Sequence, residues 1–237
     1  QPLANTSETS VDVLDEAPAI HDISVINWGA LPLSAVMAQQ MIKHFQKGMP
    51  IAIVGDSEFL INCCLGEAST DVSALNKCIA ICHEALRHLV QSFSARPFGS
   101  QELVIHTPRK DNSAADAAAN EALDHGDFLE VHTEVIAEFC NRAMDHPLSE
   151  IGLVFSFDGA SRGNPGKSSQ GNCAWWGTWQ HGHFHEEALL FRSGRNLGHQ
   201  TNNIAEVRGL AFALKAALHL HFWMLEGCAR MAARRMY

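Results

Sequence analysis

Apolar residues at 33, 36, 37, 41, 42 and 45 recur at helical spacing with Gly48 as a stop, so the pattern predicts an amphipathic helix over 33–46. Pro50-Ile-Ala-Ile-Val-Gly-Asp56 is a short unbroken apolar run, the pattern of a buried strand ending in an acid. Residues 57–65 read as a helix entered at a Ser57 cap. A longer helix is expected over 72–93, with apolar positions near 75, 79, 82, 86, 89 and 90. A second buried strand follows over 102–106, and Asp111 or Asn112 is placed to cap an alanine-rich helix carrying Asp116. Residues 128–144 are weakly helical. Runs at 151–157, 171–179 and 185–191, separated by turn residues, predict three strands in antiparallel hairpins. A helix over about 203–224 closes the pattern, and the basic stretch 227–237 shows no strand.

The resulting organisation is an acidic, Ser/Thr-rich flexible tail at 1–19, a segment at 20–125, a helical connector at 126–150 and a segment at 151–237. A chain of 237 residues with 46% hydrophobic content fits one or two domains with an ordinary core. The most apolar stretch, 204–225, carries Glu206, Arg208 and Lys215, so it reads as a helix in water and no membrane partner is expected. No basic start followed by an apolar stretch signals secretion, so an intracellular location is expected. Gln1 in place of Met suggests a fragment or a processed piece.

Charge is unevenly spread. Residues 1–150 hold 8 Lys/Arg against 21 Asp/Glu, a balance of −13, whereas 151–237 hold 9 against 5, or +4. The second segment is therefore the one expected to face phosphate, the plainer alternative being that acidic helices and an acidic tail inflate the negative charge of the first. Seven cysteines, at 63, 64, 78, 82, 140, 173 and 228, form no complete zinc pattern and are expected as buried thiols. His181, His183 and His185 alternate, more simply a polar hairpin end than a metal site, and Trp175, Trp176 and Trp179 read as packing.

The candidate chemistry starts at Asp158, which ends an apolar strand and precedes a glycine-rich turn. Glu206 opens a helix after Thr201-Asn202-Asn203. An acid at a strand end and another in a helix's first turns can meet over one sheet edge and hold a divalent metal. Each acid also has a plainer use. Asp158 suits a turn beside Gly159, Glu206 complements a helix dipole, Asp56 with Ser57 suits a helix start, and Asp116 suits a solvated helix face.

Four motifs together are more specific. Asp158-Gly-Ala-Ser-Arg-Gly-Asn-Pro-Gly166 and Thr201-Asn-Asn-Ile-Ala-Glu206 resemble the first two signatures of type-1 ribonuclease H. Val54-Gly-Asp-Ser57 resembles its third, and Asn112-Ser-Ala-Ala-Asp116-Ala-Ala-Ala-Asn120, preceded by His106-Thr-Pro-Arg109, resembles its last. The resemblance implies an α/β fold, a ribonuclease H-like mixed β-sheet flanked by helices. It implies a metal-dependent endonuclease that hydrolyses the RNA strand of RNA–DNA hybrids, with Mg²⁺, or alternatively Mn²⁺, as cofactor. Asp158, Glu206, Asp56 and Asp116 would be the catalytic acids and metal ligands, with Asp158 the bridge between ions and His106 assisting proton transfer or product release. Asn164, Asn202 and Asn203 would sense a 2′-hydroxyl. Thr201 would bind a phosphate, as would Arg109, Arg162 and Lys167.

The order of the motifs departs from the family: the last two come first, so the fold would be assembled from a rear half followed by a front half. One reading is a circular permutation joined through 126–150; the other is a cut from a tandem array. Setting 201–220 over 29–48 brings two helices into register, with Glu206 over Ser34 and Leu214 over Ile42, which favours the tandem cut. The two halves could join within one chain or by exchange in a homodimer. The alternative function is a catalytically inactive, nucleic-acid-binding module or fragment. For a single-chain site, the Asp56 strand must lie beside the Asp158 strand with both acids at one sheet end.

Overall fold

The structure is a computed structural model describing residues 48, 50–93, 97, 102–145, 150–181 and 183–233. The tail at 1–19 and the helix expected over 33–46 lie outside the described residues. The elements run β1 (Ile51–Gly55), α1 (Glu58–Leu65), α2 (Ser73–Phe93), β2 (Val104–His106) and α3 (Ser113–His125). They continue through β3 (Phe128–Val131), α4 (Thr133–Asp145), β4 (Ile151–Gly163), β5 (Gly166–Gln180), β6 (His183–Gln200) and α5 (Asn202–Ala233).

These strands form one mixed six-stranded sheet in the order β2-β1-β4-β5-β6-β3. The expected antiparallel run is present and longer than the apolar stretches suggested: β4 pairs with β5, and β5 with β6, almost to their tips. On the other side of β4, β1 joins in parallel with Ile53 opposite Phe155, and β2 joins β1 in parallel. The strand from the first segment thus lies beside the strand from the second, as a single-chain site requires.

Alternation assigns the two faces. Ile51 and Ile53 of β1 and Leu153, Phe155 and Phe157 of β4 point into one continuous core with Leu60, Leu75, Cys82, Leu89, Val207, Leu210 and Leu214 from α1, α2 and α5. Phe139 of α4 enters the same core against Trp176, ring centroids 6.0 Å apart. The opposite face carries α3. Its alanines let it settle onto the sheet: a Cβ at Gly171 would meet the Ala119 amide nitrogen at 2.2 Å, so only glycine fits this close approach.

Two expectations are corrected here. The segment 126–150 is not helical throughout: 128–131 is the strand β3, paired antiparallel with β6 from Phe128–Gly194 to Val131–Phe191. Four residues are too few for a periodicity signal, and β3 is held by side chains distant in sequence. Arg192 donates to both oxygens of Glu130 at 2.6 and 2.8 Å and to Glu121 at 2.7 Å, while lying 5.2 Å over the Phe128 ring. The second correction is that β4 does not end at Asp158. Pairing with β5 carries it to Gly163 through Arg162 opposite Lys167, so the glycine-rich motif is mostly strand and turns only at Asn164-Pro165.

Candidate metal centre

Asp56 stands one residue past β1, and continuing the parallel register from Val54 opposite Ser156 brings it beside Asp158. Glu206 reaches the same place from α5, which lies so tightly on β4 that a Cβ at Gly159 would meet the Glu206 amide nitrogen at 2.2 Å. Ligand oxygens of Asp56, Asp158 and Glu206 lie within 4.8 Å of one another, the one such group among the described residues. Asp158 is 2% exposed and Glu206 7%.

Asp158 and Glu206, buried this close to each other and to the half-buried Asp56, are poorly compensated by the protein. Asp158 Oδ2 and Glu206 Oε2 are buried with no hydrogen-bond partner. Burial first, then the charges of Glu206, Asp56 and Asp116, push the Asp158 carboxyl up to about 9. Glu206 is pushed up to about 8 by burial and by Asp56, against smaller opposing help from the Gly159 amide, Asn202 and the Arg109 charge. A divalent cation would supply the missing partner: it is hard, prefers oxygen and reverses the sign of the local field. The donor set fits such an ion.

Asp116 is brought to the same sheet end by α3 but is held by Arg109 and Asn120. Its Oδ1 accepts from Arg109 Nη2 at 2.9 Å and its Oδ2 from Asn120 Nδ2 at 3.2 Å. It lies outside the group of three, although its charge is felt at Asp158. His106 ends β2, exposed, opposite Gly55 and so one residue from Asp56. The short Arg109–Asp111 turn joins His106's strand to α3.

On the α5 side, Asn164 Oδ1 accepts the Asn202 amide at 3.3 Å, and Asn202 Nδ2 donates to Glu206 Oε1 at 3.5 Å. Thr201 stands just before α5, its hydroxyl oxygen accepting from the Ile204 amide at 3.4 Å; Asn203 is exposed beside it. Arg162 pairs with Asp124 at 2.5 Å, and Lys167 donates to the Leu123 carbonyl, so both tie the β4–β5 hairpin to the end of α3.

Some roles at the site differ from what the sequence led one to expect. Asn112 precedes α3 but its side chain makes no cap bond; it is 1% exposed and donates from Nδ2 to the Phe157 carbonyl at 2.9 Å, fastening α3 next to Asp158. Ser57 likewise makes no side-chain cap. Gly159 reads as a turn residue and is instead the contact point of β4 with α5. Asn120 did have a signal, lying four residues after Asp116 on one helix face.

The cysteines stay apart from this chemistry. Cys63, Cys64, Cys78, Cys82 and Cys173 are buried free thiols, and Cys140 is buried too. Burial pushes Cys64 up to about 11 and Cys173 to about 12, away from the reactive thiolate. No described helix is long and apolar enough to cross a membrane. Compared with models of protein families, with curated proteins and with solved structures, the chain matches none.

Proposed function

We propose that this chain is a ribonuclease H-type, metal-dependent endonuclease that hydrolyses the RNA strand of RNA–DNA hybrids. The observation that carries the reading is the meeting of Asp56, Asp158 and Glu206 from three elements, with two buried carboxylate oxygens lacking any protein partner. A structural ion-pair network would have supplied those oxygens with donors; a cation site leaves them for the ion. The order from β4 onward, β-β-β-α, and then from β1, β-α-α-β-α, supports a ribonuclease H-like sheet built rear half first, with β3 and α4 added at the far edge.

Mg²⁺, or Mn²⁺ in its place, would be held by Asp56, Asp158 and Glu206. When bound, such an ion lowers the pKa of a water and stabilises a leaving oxygen. The chain's own groups orient the substrate around it. Asn164 and Asn202, the proposed readers of a 2′-hydroxyl, are bonded to each other, and Asn202 also touches Glu206. A sugar read there would stand next to the acids, which favours a nuclease that senses RNA near its scissile bond. His106, exposed beside the Asp56 turn, would assist proton transfer or product release. The product ends would be a 3′-hydroxyl and a 5′-phosphate.

The test is cleavage of an end-labelled RNA–DNA hybrid with Mg²⁺ by the full chain and by Asp158→Asn. Hybrid-specific cleavage that the substitution reduces by at least about a hundredfold is expected. Hybrid binding without cleavage at micromolar protein would overturn the enzyme and leave a binding module.

A further inference from the structure

The acid cluster is already supplied with one cation, and it is an arginine. Arg109 Nη2 lies 2.9 Å from Asp116 Oδ1, and its Nε lies 3.9 Å from Asp56 Oδ2. One guanidinium thus joins the acid outside the group of three to an acid inside it. Asn120 occupies the second oxygen of Asp116. Across the site the pattern is reversed, since Asp158 Oδ2 and Glu206 Oε2 have no partner. The site has a dry half short of positive charge and an outer half that already holds some.

We propose that Arg109 is a built-in competitor for a divalent cation on the Asp56–Asp116 side, and that Asp116 becomes a ligand only when Arg109 moves off. This rests on the cation-binding part of the proposed function, not on its substrate. A guanidinium and a metal ion want the same carboxylate oxygens and repel each other, so occupancy by one weakens the other. Exchange is easy because the Arg109 side chain is 78% exposed and Asp116 32%. An ion pair so open to water contributes a factor of about five at most. Arg109 opens the short Arg109–Asp111 turn, and its side chain faces water on the outer side of the site. The buried pair Asp158 and Glu206 defines the tighter cation position, and the arginine keeps the outer position weak until it is displaced.

Direct Mn²⁺ binding to the full chain, by calorimetry and by the loss of the free-ion paramagnetic resonance signal, tests this without any activity measurement. Wild type, Arg109→Ala, Arg109→Lys, Asp116→Asn and the Arg109→Ala/Asp116→Asn pair are compared at low salt. Arg109→Ala should tighten the weaker Mn²⁺ class by about fivefold and the tighter class by less, because the Arg109 charge is also felt at Asp158 and Glu206. Arg109→Lys, which keeps the charge, should gain less. Most of the gain should vanish in the Asp116→Asn background, because the carboxylate to be released is gone. An Arg109→Ala chain whose weaker class is unchanged or weakened would overturn the competitor role while leaving the metal centre standing. No Mn²⁺ binding by any of the proteins would overturn both.

Discussion

Asp158 combines deep burial, an unpartnered oxygen and three acidic neighbours, and its behaviour with pH follows from that. Its carboxyl is raised to about 9 and that of Glu206 to about 8, whereas in an unfolded chain both lie near about 4. The folded chain therefore holds more protons than the unfolded one between those limits. The stability these two groups contribute is fully present below about pH 4 and is lost as pH rises through 8 to 9. In chelator, the melting temperature should fall between pH 5.5 and pH 8.5. Asp158→Asn, which removes the need either to keep a proton or to bury a charge at that position, should flatten the fall and stabilise the chain by about 1–3 kcal/mol at the alkaline end. Saturating Mg²⁺ should recover much of the same loss in wild type. Thermal unfolding followed by circular dichroism measures all three; a variant that melts below wild type at pH 8.5 in chelator would contradict the account.

The element that brings Glu206 to Asp158 is α5, and its distance from β4 is set by Gly159. An added Cβ there collides with backbone, which cannot swing aside as a side-chain end can. Gly159→Ala should cost about 1–3 kcal/mol or more, read as a lower urea midpoint. It should also weaken Mg²⁺ binding, because the forced shift of α5 carries Glu206 away from its partners. An unchanged midpoint would mean that α5 packs elsewhere. The long strands and helices around this contact were legible because each has a clear period of its own. The close approach was not, since a glycine beside an aspartate reads locally as a turn and its partner lies in another element. The strand β3 was hidden for a related reason: Glu121, Glu130 and Arg192 hold it only after β6 is in place.

For the whole molecule, the question is whether one chain suffices. β1 and β4 pair within the chain, and their acids meet within it. The proposed cleavage activity per mole should therefore not change with protein concentration. Asp56→Asn and Asp158→Asn chains, unfolded together and refolded as a mixture, should stay as inactive as either alone. Exchange between chains would instead create some sites with all wild-type acids, and recovered cleavage in the mixture would reveal it.

By itself the sequence determined the α/β composition, most of the element order and the acids worth watching, because hydrophobic period and short-range turn chemistry are local properties. It left open whether the strands at 51–55 and 104–106 share one sheet with those of 151–200, since parallel pairing over a hundred residues has no local signature. The tertiary structure decided that. It set β1 beside β4, put Asp56, Asp158 and Glu206 within reach of one cation, and left Asp116 to Arg109. Which acids lose their water, and which keep a counter-charge, depends on packing between distant elements, and burial of that kind is not written in any single stretch of chain.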